Sequence, residues 1–129
     1  MATVTASFTV LIVLLLTVLA MNTTRLRFGK GRSTDPDDRA RIRAASRAHG
    51  NTLEHALPVL LLMFFYEING GDTRLLCTLG VAFVVIRIIY VYGMLQRFGS
   101  RPMQLGAALT YLLELLLLGL VTSVLMQAG

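Results

Sequence analysis

Arg47, Asn51, Glu54 and His55 stand four, three and one residues apart in the stretch RAHGNTLEH, which runs from Arg47 to His55. A helix turns 100° per residue, so these four side chains fall on one face. That face carries both charge signs and leads directly into the apolar run Ala56–Phe65. Ionisable groups at the mouth of a membrane-length helix are costly to place, and such a placement marks a site. The chemistry it suits is charge-based recognition. Neither His49 nor His55 has a second histidine or a cysteine at ligand spacing, so no metal is expected. Cys77 is the one cysteine, which excludes an intrachain disulfide and a cysteine metal site.

The elements that must position this face follow from the apolar pattern. Of the 129 residues 55% are apolar and 15% charged, and the mean hydropathy is +0.69. The apolar residues are not interrupted at helical or strand period, as in a soluble domain, but come in blocks: Phe8–Met21, Ala56–Phe65, Leu75–Met94 and Leu105–Met126. Each block, with its flanks, supplies the roughly 20 helical residues needed to cross a hydrocarbon core. The fold class expected is an all-α membrane protein, a four-transmembrane-helix bundle forming one domain over residues 1–129. The N-terminal block lacks the positive leader of a signal peptide and is read as the first span.

A net charge of +5 raises nucleic acid as a partner, but position argues for topology instead. Arg25, Arg27, Lys30, Arg32, Arg39, Arg41, Arg43 and Arg47 lie between the first and second spans, and Arg97 and Arg101 between the third and fourth. The excess of positive charge on cytoplasmic loops then places both basic loops in the cytoplasm and both termini on the opposite side. No nucleic acid is expected, and the basic loops meet anionic lipid head groups or an anionic ligand.

In chain order, the first helix is expected from about Ala6 to Thr24, with Gly29 and Gly31 suited to its stop. Asp35-Pro36-Asp37-Asp38 is a helix start: Asp35 caps, Pro36 takes the first position, and the two aspartates face the positive end of the dipole. The second helix continues from near Pro36 to about Glu67, on the order of 45–50 Å, and projects into the cytoplasm by several turns. Arg39 and Arg43 on its projecting part suit a solvated basic face. Asn69-Gly70-Gly71-Asp72-Thr73 is a tight turn between antiparallel neighbours. Arg87 and Tyr90 share a face of the third helix. An arginine at that depth must snorkel or pair, with Glu54 or Glu114 as candidate partners; a buried ion pair holding helices in register is as good a reading as catalysis. Gly106, Ala107, Ala108 and Gly119 on the fourth helix permit close helix approach.

With Arg47, Asn51, Glu54, the following Pro58 and the pattern Arg87-x-x-Tyr90 in place, the chain resembles the MAPEG family, the membrane-associated proteins in eicosanoid and glutathione metabolism. RAHGNTLEHALP followed by an apolar run and EINGG is especially similar to small bacterial members. The resemblance implies a homotrimer packed around the second helices, with glutathione bound between subunits at the cytoplasmic side as co-substrate. Arg47, Asn51 and Glu54 match residues that hold the peptide, and Tyr90 matches a third-helix tyrosine that contacts it. His55 stands where a tyrosine is common. Arg101, eleven residues after Tyr90, has the spacing of an arginine beside the thiol, and Arg25 or Arg27 would come from a neighbouring subunit to the carboxylates. The activity implied is a glutathione-dependent transferase or peroxidase acting on a lipophilic small molecule from the bilayer. The alternative is a non-catalytic subunit or stabiliser of a larger membrane assembly.

Overall fold

The Asp35 carboxylate accepts from the Asp37 N–H at 2.9 Å, with Pro36 in the first helical turn, and this cap starts the longest element of the protein. The computed structural model describes residues 1–128, which contain four α-helices and, among the described residues, no strand. These are α1 (Thr3–Lys30), α2 (Pro36–Ile68), α3 (Thr73–Gln96) and α4 (Arg101–Ala128). The turn between α2 and α3 falls where Asn69–Thr73 predicts it, and Asp72 caps α3 by accepting from the Leu75 N–H at 2.7 Å.

α1 has no side-chain cap from its own N-terminal residue. Glu67, in the last turn of α2, supplies it instead. Its carboxylate accepts from the backbone N–H groups of Val4 and Thr5 at 2.9 and 2.8 Å, and from the Thr5 hydroxyl at 2.7 Å. A carboxylate placed there satisfies orphan donors and opposes the positive end of the helix dipole. It also ties the start of α1 to the end of α2, which makes the two antiparallel neighbours. At the other end α1 runs on to Lys30, past the expected stop near Thr24. The basic segment is otherwise made of residues compatible with a helix, and a single internal glycine costs only about 1 kcal/mol. Lys30 then reaches across the loop to the Asp38 carboxylate. That hydrogen-bonded cation holds the Asp38 carboxyl below its ordinary range.

α1, α3 and α4 are long and apolar enough to cross a membrane. α2, at 33 residues, is not among them. Its apolar run Ala56–Phe65 lies between Glu54 and Glu67, so α2 is the least apolar of the four helices, and its length from Pro36 to Ile68 is close to that expected for the second helix. α2 packs against each of the other three helices, whereas the α1 and α4 backbones do not come close to each other among the described residues. α3 and α4 approach most closely where glycines remove side chains. A Cβ on Gly106 would lie 2.7–2.8 Å from Tyr90 Cβ and backbone, and one on Gly93 would lie 2.2 Å from the Met103 nitrogen.

The core falls into two apolar clusters. One is built around Ile12, Val59, Met63, Leu76, Phe83 and Leu117; the other joins Leu19, Ala48, Tyr90, Val91 and Met94. Between them, in sequence on every contributing helix, lie the fully buried polar residues Thr52, Arg87 and Thr110. Outside the core, α2 leaves Leu57, Leu61, Phe64 and Ile68 exposed. With Arg43, Arg47, Gly50 and Glu54 above them, they repeat at alternating steps of four and three along one stripe.

Candidate functional site

α2 carries the face on which Arg47, Asn51 and Glu54 were expected to meet, and the folded chain gathers them. Together with Ser46, Gly50 and Tyr90 they line a cavity of about 440 Å³ between α2 and α3. Tyr90 enters from α3, and Gly106 lets α4 approach the backbone at that position. Arg47 is exposed and lies over the Phe98 ring, 5.4 Å from its centroid. An aromatic face under a guanidinium orients it without neutralising it. Phe98, in the turn after α3, carries no polar signal that would have marked it in the sequence. Arg43, Arg47 and Phe98 line a second cavity of about 340 Å³, on the side of Arg47 away from Glu54 along α2.

The floor of the site is set by Arg87, whose residue is 0% exposed. Its partners are not Glu54 or Glu114, as expected, but three neutral oxygens. Nη2 donates to Asn51 Oδ1 at 2.7 Å and to Thr52 Oγ1 at 3.0 Å, and Nη1 donates to Thr110 Oγ1 at 3.2 Å. The Thr110 hydroxyl in turn donates to the Gly106 carbonyl, which leaves its lone pairs for the guanidinium. Arg87 also lies 4.3 Å from the Tyr90 ring centroid, and its Nε is buried without a partner. The carboxylates miss it for geometric reasons. Glu54 stands two residues from Thr52, about 200° around α2, so when Thr52 faces the core Glu54 faces outward. Glu114 is engaged elsewhere.

This arrangement decides which end of Asn51 meets a ligand. A guanidinium has only donors, so the Asn51 oxygen faces Arg87 and the amide nitrogen is the end left for the cavity. The site therefore presents a guanidinium at Arg47, an amide donor at Asn51, a carboxylate at Glu54 and a phenol at Tyr90. It fits a ligand with carboxylate or carbonyl acceptors at one part and an ammonium at another.

The other residues singled out in the sequence lie elsewhere. His55 turns toward α4, where its Nδ1 is 2.6 Å from Glu114 Oε1 and its ring meets Tyr111 edge-on at 5.2 Å. Arg27 donates to Ser46 Oγ at 3.1 Å, joining α1 to α2, and Arg25 donates to Asn22 on its own helix. Arg101 is exposed at the start of α4 and does not line the cavity within one chain. Thr52 and Thr110 were missed because single threonines in apolar runs carry no charge pattern.

The sequence profile of the MAPEG family matches residues 5–123. The chain belongs to the MAPEG family. Inner membrane protein YecN of Escherichia coli strain K12 is 30% identical over 94 residues, 73% of this chain and 72% of that protein. Inner membrane protein YecN of Escherichia coli O6:H1 strain CFT073 matches to the same extent. No solved structure matches the chain. Family membership, three helices of spanning length and the inner membrane relatives make this a membrane protein.

Proposed function

We propose that the protein is a membrane-bound glutathione-dependent transferase or peroxidase acting on lipophilic electrophiles. The observation that carries this reading is the single cavity lined by Arg47, Asn51, Glu54 and Tyr90 in a chain of the MAPEG family. Glutathione has two carboxylates, an ammonium and a thiol. Arg47 and the Asn51 amide suit the carboxylates and peptide carbonyls, and Glu54 suits the ammonium. A thiol with a pKa of about 8.5 is mostly protonated at neutral pH, and a nearby cation favours the nucleophilic thiolate. Arg101 is the residue proposed for that role. It precedes Gly106 by five residues, about 7 Å along α4, which sets it above Tyr90 toward the basic end of the bundle. The thiolate then forms an S–C bond with an electrophile from the bilayer as the electrophile's leaving group departs with the bonding pair, or attacks the distal oxygen of a lipid hydroperoxide and breaks its O–O bond. The lipid alkoxide takes up a proton and leaves as the alcohol, and a second glutathione reduces the resulting sulfenic acid to the disulfide and water.

The site is completed by a homotrimer packed around α2, with the basic loops cytoplasmic and both termini opposite. The stripe Leu57, Leu61, Phe64 and Ile68 supports this, because apolar residues at alternating steps of four and three form the seam of packed parallel helices. Arg25, held only by Asn22 on its own helix among the described residues, is the better placed of the two α1 arginines to reach a neighbouring subunit.

The test is kinetic. Arg101→Ala is expected to lower turnover with glutathione and a lipophilic electrophile on the order of tenfold or more, while glutathione affinity changes little. Equal losses in both would reduce Arg101 to a binding contact. The second reading, a non-catalytic member of a larger membrane assembly, is favoured by the position of Arg101 outside the cavity of the single chain. It expects glutathione-dependent turnover to be absent in the wild type.

A further inference from the structure

The His55–Glu114 pair is not used by the site described above, and it sits at an unusual depth. Glu114 is thirteen residues into α4, about 20 Å from the basic end and near the middle of the helix. Lipid phosphates do not reach there. The pair is not sealed: the side chains are 15% and 22% exposed. Glu114 Oε1 is engaged by His55 Nδ1. Oε2 has no hydrogen bond among the described residues and is not among the buried atoms lacking one, so it is open. Glu114 forms part of the wall of a cavity of about 350 Å³ between α2 and α4, whose other lining residues are Pro58, Leu62, Tyr111, Leu115 and Leu118. That volume lies in the range of small-molecule sites.

An open carboxyl oxygen facing hydrocarbon has no water to bond, and leaving it without a donor costs several kcal/mol. A clasp between α2 and α4 needs only the engaged oxygen. The free one calls for a donor that arrives from the bilayer. The pair is also selective for charge. Adding a net charge at this depth is expensive. A cationic head would add an uncompensated charge, and an anionic one would meet the carboxyl oxygens.

We propose that the α2–α4 pocket binds a lipophilic molecule with a neutral hydroxyl head, which donates to Glu114 while its apolar body lies on Tyr111, Leu115 and Leu118. Pro58 and Leu62 close the other side. Glu54 and Pro58 are four residues apart on α2, so this pocket begins one helical turn, about 6 Å, below the cavity that holds Arg47, Asn51 and Glu54. A lipid hydroperoxide belongs to the same chemical class, which connects the pocket to the proposed reaction without depending on it.

The experiment uses the purified full-length protein in detergent, without glutathione, and a 4-alkylphenol carrying a diazirine in its chain. Photolabelling, mapped by mass spectrometry, is expected on α2 and α4 around Leu62, Leu115 and Leu118. Unlabelled 4-nonylphenol is expected to compete about tenfold better than its methyl ether, which has the same shape and no donor. In Glu114→Leu that preference is expected to collapse to parity. Leu118→Phe, which fills the pocket and leaves the pair intact, is expected to lose labelling by the probe. Absence of labelling in the wild type, equal competition by phenol and ether, or a phenol preference that survives in Glu114→Leu would overturn the proposal. The phenol-to-ether ratio is read in the wild type, so the test holds even where Glu114→Leu fails to fold. Failure of glutathione binding leaves this result untouched, and the reverse also holds.

Discussion

Arg87 makes three hydrogen bonds, to neutral oxygens from two other helices, and lies against an aromatic face, while its Nε has no partner. The consequence reaches the proposed ligand site through Asn51, whose amide is turned by the guanidinium behind it. Arg87→Leu is therefore expected to act twice. Asn51, Thr52 and Thr110 lose a shared donor, at a cost of roughly 2–4 kcal/mol, and Asn51 is freed to rotate, which weakens ligand binding. Arg47→Ala, at an exposed position, is expected to change stability by less than about 0.5 kcal/mol while removing a ligand contact. Thermal unfolding of the two variants in detergent checks the contrast; equal melting temperatures would contradict it. The grouping of Arg47, Asn51 and Glu54 was legible because steps of four and three on one helix leave little freedom. The partners of Arg87 were not. Sequence gives depth along a helix but not the rotation of one helix against another, and hydroxyl and amide oxygens leave no charge pattern to read.

At the scale of elements, the local signals were accurate and the long-range ones silent. Asp35-Pro36 starts α2 where its chemistry requires, and Asn69–Thr73 turns the chain as expected. The cap on α1 could not be found that way, because Glu67 lies more than sixty residues from Val4 and Thr5. Glu67→Gln keeps an acceptor and loses the charge, whereas Glu67→Ala loses both. The alanine variant is expected to destabilise by about 1–2 kcal/mol and the glutamine variant by a fraction of that. Hydrogen exchange at Val4 and Thr5 localises the effect: faster exchange there in Glu67→Ala is expected, and unchanged protection would assign the stability of α1 to packing alone. Ala56–Phe65 reads as a membrane segment, and the glutamates on either side leave α2 less apolar than its three partners.

The whole molecule has an apolar surface of two kinds. α1 and α4 present Val10, Leu14, Val18, Leu112, Leu115 and Leu118 outward, as helices in contact with lipid do. α2 presents a narrower stripe at alternating steps of four and three, the spacing that suits a partner helix of the same kind. Leu61→Glu, in the middle of that stripe and away from the candidate cavity, is expected to convert the proposed trimer to monomer in mild detergent with helical content retained. An unchanged oligomer would move the interface off α2. Because the proposed glutathione site lies between subunits, the same variant is expected to lose glutathione binding. The central claim is tested most directly by calorimetric titration of glutathione into the purified wild-type protein beside Arg47→Ala. Binding in the micromolar to low-millimolar range that disappears in the variant is the predicted result. A folded wild-type protein that takes up no glutathione would contradict it.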